Sequence, residues 1–352
     1  MVISRGMKAM TLARALVVGL TILIASGSNG AIQPIKPPMQ AVVIRAYGGT
    51  EVLKLEAVAR PEPKEGEILI RVVAASVNPV DVAIRQGYLK ELTGNKFPLI
   101  LGMDAAGVVE TTGIKITKFK ASDPVYAFFT LAEQGGYAQY LIAKENEVAL
   151  KPKAVSYAQA AAVLAAGSTA LQVLVDEAKL SAGQTVLIHG GSGGVGHFAI
   201  QIAKARGAKV IATASTANQD FLKKMGADQV IDYTRTKFED VAKDVDVVLD
   251  MVGGETLKRS YSVVKKGGIL VTIADDVDQK ELDAHGIRGV AFRSAPKASS
   301  LEELGRLIDA KKVTPVVSQT FQLSDVAKAQ DQIATGHTRG KIVFQVADEP
   351  KS

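Results

Sequence analysis

Glycine occupies the first, third, fourth and sixth places of the run Gly191-Ser192-Gly193-Gly194-Val195-Gly196. The run follows an apolar strand-like segment, Val186-Leu187-Ile188, and opens a segment, Val195 to Ala205, that reads as a helix. Between a strand and a helix, the first glycine permits a tight turn and the second lets the backbone approach a pyrophosphate. The third allows the helix to pack closely. Unpaired N–H groups at the helix start then face the anion. Gly191, Ser192, Gly193, Gly194, Val195 and Gly196 are therefore the candidate cofactor-binding loop for a dinucleotide. Without the flanking strand and helix, the same glycines would be a flexible loop and nothing more.

An NAD-selective site places an acid about 20 residues further on, at the end of the second strand, where it holds the ribose 2′-hydroxyl. That stretch here reads Ile211-Ala212-Thr213-Ala214-Ser215-Thr216-Ala217-Asn218, with no acid before Asp220. A 2′-phosphate meets no repulsion from such a run. Ser215, Thr216 and Tyr233, the last lying beyond the third strand, are candidates to hydrogen-bond it, and NADPH is the expected cofactor.

Positioning this loop requires a parallel sheet, and the second half of the chain supplies one. Apolar runs at Thr185 to His189, Lys209 to Thr213, Gln229 to Asp232, Val245 to Asp250 and Gly268 to Ile273 alternate with helical segments, which implies βαβ crossovers. Ser156 and Gln159 form a capping box ahead of Ala158 to Ala166, and Ser300 with Glu303 another ahead of Leu301 to Ala310. From Gln40 to about Lys153 the texture differs. Short strands such as Ala41 to Ala46, Glu67 to Ala75 and Gly107 to Thr111 are punctuated by Gly and Pro. The tail from Thr320 to Val346 reads strand, helix, strand and is expected to rejoin this first part.

Composition excludes several classes. The chain has 352 residues, 5% of them aromatic, with no Trp, which leaves little for a base-stacking surface. A net charge of +6, dispersed along the chain, is too small for a phosphate-backbone footprint, so nucleic acid is not an expected partner. There is no Cys, hence no thiolate nucleophile and no thiolate zinc site. The four histidines, His189, His197, His285 and His337, are widely spaced and read as structural. No acid precedes Glu51. A basic start, an apolar run from Ala15 to Ala25 and small residues to Gly30 together read as an export signal over residues 1–30. The expected location is periplasmic or secreted, without stable membrane insertion after cleavage. A membrane anchor, a mitochondrial presequence and a misassigned start at Met7 or Met39 are the alternatives.

Several spaced motifs, taken together, resemble one family. They are Asn78-Pro79-Val80-Asp81, Gly87-Tyr88, Ala166-Gly167-Ser168-Thr169-Ala170, the Gly191 loop, Asp250-Met251-Val252-Gly253-Gly254 and Gly340-Lys341-Ile342-Val343. The family is the zinc-free quinone-oxidoreductase (zeta-crystallin-like) branch of the medium-chain dehydrogenase/reductase superfamily, and the resemblance runs from Ala41 to Val346. It implies a Rossmann doubly wound parallel sheet, α/β, inserted into a GroES-like, mostly β catalytic domain. The expected division is 31–165 with 306–352 for the catalytic domain and 166–305 for the nucleotide-binding domain. It also implies hydride transfer from NADPH to a quinone or an activated carbon–carbon double bond, and a homodimer.

On that resemblance no metal is expected, because Asn78 and Asp81 stand in the segment where zinc-dependent relatives carry a ligand. Asn78 is then the neutral donor for the acceptor oxygen, on which hydride addition places negative charge. Asp81 either takes part directly or orders the segment as a helix-cap acid. Tyr88 matches a tyrosine of related enoyl reductases and is a candidate general acid, or else an aromatic wall. Thr169, Ile273 and Ala274 are expected beside the nicotinamide, and Lys341 beside the phosphates. Relatives often carry Lys shortly after the Ser215 position, where this chain has Asn218 and Gln219. The competing readings are a 2-enoyl-thioester reductase and a low-turnover NADPH-binding protein with a structural or sensing role, the second given added weight by the expected export.

Overall fold

The computed structural model describes residues 37–94, 96–130 and 135–350. The expected export signal at residues 1–30 lies outside the described residues.

The first part of the chain forms β1 (Met39–Ile44), β2 (Lys54–Val58), β3 (Glu67–Val77), α1 (Pro79–Arg85), α2 (Lys90–Thr93), β4 (Leu99–Ile100), β5 (Asp104–Thr112), β6 (Pro124–Phe128), β7 (Tyr140–Lys144) and β8 (Val148–Leu150). The organising strand is β3, whose 11 residues Glu-Ile-Leu-Ile-Arg-Val-Val-Ala-Ala-Ser-Val are buried almost without a break. Such a strand has core on both faces. Ile68, Ile70 and Val72 pack with Ala105, Val125 and Phe129, while Ala75 and Val77 pack with Val42, Leu101 and Tyr137. Along one edge β3 pairs antiparallel with β5. Its other edge is shared, the first half with β7 and the second half with a strand from the far end of the chain.

The middle of the chain forms α3 (Tyr157–Leu171), β9 (Thr185–Ile188), α4 (Gly194–Ala205), β10 (Lys209–Ala214), α5 (Gln219–Lys224), β11 (Gln229–Asp232), β12 (Val245–Asp250), α6 (Gly254–Ser260), β13 (Val264–Thr272), α7 (Gln279–His285), β14 (Arg288–Ala291) and α8 (Ala298–Asp309). The six strands lie in the order β11-β10-β9-β12-β13-β14 and every pairing is parallel. This is the expected doubly wound α/β sheet. The order in which successive strands are added reverses between β9 and β12, and ligands of such sheets bind at that switch point, beyond the carboxyl ends of the strands. The Gly191–Gly196 loop leaves β9 at this place.

The Ser156 capping box forms as expected, with Gln159 N donating to Ser156 Oγ and Ser156 N donating to Gln159 Oε1. The second box does not form. Helix α8 starts three residues earlier, with Lys297 as its cap. Ser300 is buried in its first turn, where its hydroxyl oxygen lies 3.5 Å from Gln172 Nε2. Nothing in Ala298-Ser299 resists helix, so the helix extends past the serine. The expected divisions at 165/166 and 305/306 fall inside α3 and α8, which are continuous. With its continuation through Glu177, α3 is long and apolar enough to cross a membrane by composition, yet 78% of that window is buried inside the protein.

The last segment forms β15 (Val317–Gln322), α9 (Val326–Ala334) and β16 (Lys341–Gln345). Strand β16 pairs antiparallel with the second half of β3, Ile342 opposite Val77 and Phe344 opposite Ala75. Strand β15 runs parallel beside it. The tail rejoins the first sheet, as expected, and brings Lys341 to the start of α1.

Candidate active site

Where β3 ends, Asn78 caps α1 and Pro79 takes the first helical position, where its missing N–H costs nothing. Asp81, one turn on, accepts from the Asn78 backbone N–H at 2.8 Å and from the Tyr137 hydroxyl at 2.7 Å, both through Oδ2. Its Oδ1 has no partner, and burial pushes its pKa up to about 7. The helix-cap role is thus visible in the geometry.

The Asn78 side chain is held at both ends. Its Nδ2 donates to Asp104 Oδ2 at 2.9 Å, and its Oδ1 accepts from Lys341 Nζ at 2.5 Å. Asp104, fully buried at the start of β5, also accepts from Ser76 Oγ at 2.5 Å and, through Oδ1, from Ala165 N of α3 at 3.0 Å. Thr169 lies one turn along α3, its hydroxyl donating to Ala165 O at 2.7 Å. A single carboxylate therefore ties the end of β3 to the helix that carries Thr169. Burial raises the pKa of Asp104 and lowers that of Lys341, and each holds the other toward its charged form.

Lys341 joins this network to the glycine loop. Its ammonium is turned toward Val77 O, at 3.0 Å, and toward Asn78, while its stem lies against Gly194, Cδ being 3.1 Å from where a Cβ there would stand. One side chain thus separates Asn78 from the loop. The ammonium, expected near phosphates, turns inward because a buried cation needs acceptors.

The loop has the steric form that a pyrophosphate requires. A Cβ on Gly191 would stand 3.2 Å from Ala212 Cβ, and one on Gly196 only 2.3 Å from Gly190 O, so both glycines permit close packing. A Cβ on Gly193 would meet only Gly190 O, at 3.4 Å, leaving its other side open to a ligand. His197, buried in the first turn of α4, donates from Nδ1 to Gly193 O at 3.0 Å. His189 lies between Thr213 and Ser260. Burial depresses these two to about 4 and about 3, so both are neutral structural groups.

At the end of β10 the picture departs from the expectation. Parallel pairing sets Ala214 beside Asp232 of β11, and Thr216 Oγ1 donates to Asp232 Oδ2 at 2.5 Å. The acid missing from β10 is supplied to the same corner by the neighbouring strand. Ser215 Oγ accepts from Asn218 Nδ2 at 3.2 Å, and Tyr233 is exposed. Across the switch point, Ile273 N donates to Asp250 O and Ala274 N to Thr272 Oγ1. Asp250 accepts from Val252 N and Gly253 N, which makes it a turn-holding acid.

The structure therefore gathers Asn78, Asp81, Thr169, Lys341 and the Gly191–Gly196 loop through direct contacts. Tyr88 stands apart: it is 77% exposed and its hydroxyl has no partner among the described residues. Sequence reasoning missed Asp104, Ser76 and Asp232. Only Asp104 had a local signal, as the one acid inside the apolar run Leu101 to Val109. Among the described residues, no group of three or more His, Cys, Asp or Glu is placed to hold a metal ion.

Residues 64–153 match the alcohol dehydrogenase GroES-like domain, and residues 225–344 match a family described as zinc-binding dehydrogenase. Over 358 residues the chain is 34% identical to the mitochondrial NAD(P)H oxidoreductase RTN4IP1 of Danio rerio, spanning 89% of this chain and 92% of the relative. It is 39% identical over 318 residues to the chloroplastic NADPH-dependent alkenal/one oxidoreductase of Arabidopsis thaliana, spanning 87% and 79%. A solved quinone oxidoreductase from Coxiella burnetii matches with a TM-score of 0.82 at 35% identity, over 88% of this chain and 99% of that one. The chain belongs to the medium-chain dehydrogenase/reductase superfamily. Within it, the protein is an oxidoreductase that uses a nicotinamide cofactor, and its relatives are quinone and alkenal oxidoreductases.

The expectation of export is corrected by these relatives. The RTN4IP1 relatives are named mitochondrial and the alkenal/one oxidoreductase and a spinach quinone-oxidoreductase homologue chloroplastic, and none of these is named periplasmic or secreted. An acid-free basic start is common to export signals and organellar presequences, so residues 1–30 do not by themselves establish export.

Proposed function

We propose that this protein reduces a quinone or an activated alkene (enal or enone) with NADPH, by hydride transfer and without zinc. The observation that carries the reading is Asn78, a neutral amide fixed between Asp104 and Lys341, one lysine side chain from Gly194. Metal-assisted relatives need ligands, and a chain without Cys, with Asn78 and Asp81 in that segment, offers a hydrogen-bonding site instead.

In this reading the Gly191–Gly196 loop and the start of α4 hold the pyrophosphate. Ser215, Thr216 and Tyr233 face the 2′-phosphate, while Thr169, Ile273 and Ala274 flank the nicotinamide. The bound cofactor supplies the hydride. Asn78 Nδ2 gives one hydrogen to Asp104 and keeps the other for the acceptor oxygen, where negative charge develops. Lys341 and Asp104 are positioning residues, because they orient that amide rather than touch the substrate. Tyr88, exposed in this structure, is in this reading the proton donor to an enone carbon. A reduced quinone takes its protons from water. We take the division at 165/166 and 305/306 as functional, and the protein as a homodimer, the outer edge of β14 being unpaired among the described residues. The reading as a low-turnover NADPH-binding protein loses the weight that export lent it, and the relatives named as oxidoreductases support turnover instead.

The test is NADPH oxidation against a panel of quinones, short enals, enones and enoyl thioesters, with chelator present. Turnover on quinones or enones in chelator is expected. Cofactor that binds without being consumed by any acceptor would refute the proposal. In the same assay Asn78→Ala is expected to lower turnover about a hundredfold on both acceptor classes, the cost of losing one oxyanion donor. Tyr88→Phe is expected to slow enones and spare quinones; equal rates on enones would leave Tyr88 as a wall.

A further inference from the structure

We infer that Arg339 is the residue that discriminates NADPH from NADH, reaching the cofactor's 2′-phosphate from the C-terminal segment rather than from the nucleotide-binding sheet. The inference rests on reading the Gly191–Gly196 loop as a dinucleotide site. The 2′ position of a bound dinucleotide lies at the end of the second strand, here β10, and the turn that follows reads Ser215-Thr216-Ala217-Asn218 and carries no cation of its own. Arg339 docks on that turn. Its Nε donates to Asn218 Oδ1 at 2.8 Å and one terminal nitrogen donates to Ala217 O at 3.0 Å, while its guanidinium carbon stands 5.4 Å from the ring centre of Phe221.

Three features make this more than a surface contact. The first is charge. Asp232 lies in the same corner, bonded to Thr216, and opposes a phosphate unless a cation offsets it. Lys223 faces Asp220 at 3.4 Å and Arg235 faces Asp232 at 3.6 Å, whereas no carboxylate among the described residues lies within ion-pair distance of Arg339. The second is geometry. A guanidinium has five N–H donors; two are spent on the turn and fix its plane, and the rest form the fork that suits a phosphate. The third is register. The next residue, Gly340, donates its N–H to Ser192 O at 2.9 Å, and Lys341 lies against Gly194. Gly340 itself has φ +62°, and a Cβ there would stand 2.5 Å from Val316 O. Three consecutive residues therefore grip the nucleotide-binding domain at three points, and the arginine cannot drift from the turn without disturbing the pyrophosphate loop. Asn218 thus anchors an arginine on a turn that has no cation of its own.

The experiment is calorimetric titration of the full chain with 2′,5′-ADP and 5′-AMP, then with NADPH and NADH, at low and high salt. The unmodified protein is expected to bind each 2′-phosphorylated ligand about tenfold or more tightly than its partner, a gap that narrows in salt. In Arg339→Gln, which keeps a donor for the turn, the ratio is expected to fall to within about twofold while 5′-AMP and NADH bind as before. Arg339→Lys is expected to restore part of it. An unchanged ratio in Arg339→Gln overturns the inference, as does equal weakening of both members of each pair, which would mark Arg339 as a loop anchor only. If no nucleotide binds the unmodified chain, the dinucleotide reading falls and takes this inference with it.

Discussion

Gly196→Ala is expected to abolish measurable NADPH binding and to lower stability by about 1–3 kcal/mol, the usual cost of forcing volume into a packed site. The added methyl would stand 2.3 Å from Gly190 O, 2.7 Å from Gly191 Cα and 2.8 Å from Gly191 C. All three are backbone atoms that no rotamer change can move. The start of α4 must therefore retreat from β9, carrying away the N–H groups that would face the pyrophosphate. Gly193→Ala separates the two effects, because its methyl meets only Gly190 O at 3.4 Å. That variant is expected to melt with the parent and still lose binding, since the methyl takes ligand space. Fluorescence titration with NADPH and a thermal melt read both variants. Normal affinity in Gly196→Ala would show that the loop is not the cofactor cradle.

A second large effect is expected at Lys341. Lys341→Met keeps the stem against Gly194 and removes the cation that faces both Asp81 and Asp104. Stripping one partner from a buried charge cluster costs about 3–5 kcal/mol. The loss should depend on pH. Asp81, pushed up to about 7 by burial, and Asp104, also raised, favour their neutral forms in the folded state over the unfolded value of 3.8. Their stabilising contribution is present below that value and fades as pH rises through the folded pKa. Lys341→Met is thus expected to melt close to the parent near pH 4 and far below it at pH 8. Asn78 loses its anchor at the same time, so turnover falls more than cofactor affinity. A constant difference in melting temperature across pH 4 to 8 would remove these carboxylates from the account.

Much of the fold was legible because its signals are local. Alternating apolar runs and helical segments marked the parallel sheet, and the glycine loop marked its switch point. The Ser156 box marked the start of α3, whereas Ser300 misled because a serine in the first turn differs from a cap only by where its hydroxyl points. The site was legible at Asn78 and Asp81, three positions apart in sequence, and at the loop. It was opaque wherever partners meet across the fold. Asp232 is 16 residues from Thr216, and only parallel pairing brings them together. Arg339 is 121 residues from Asn218, and Asp104 is 61 from Ala165. No spacing rule reaches those pairs. Lys341 was placed near the loop by resemblance, but the direction of its ammonium depends on which acceptors share its burial.

The pairing of β3 with β16 also has a temporal side. Lys341 donates to Val77 O across 264 positions, so the organising strand of the first sheet leaves the ribosome long before its partner exists. The intervening βαβ units are local and can close on themselves early, whereas long-range pairing is slow because distant ends must meet. A nascent chain that has emerged only as far as Gly336 would hold a formed nucleotide-binding sheet, an exposed half-edge of β3 and no grip on the Gly191 loop. Such an intermediate offers chaperones a bare strand edge to shield, and it has no route to premature catalysis.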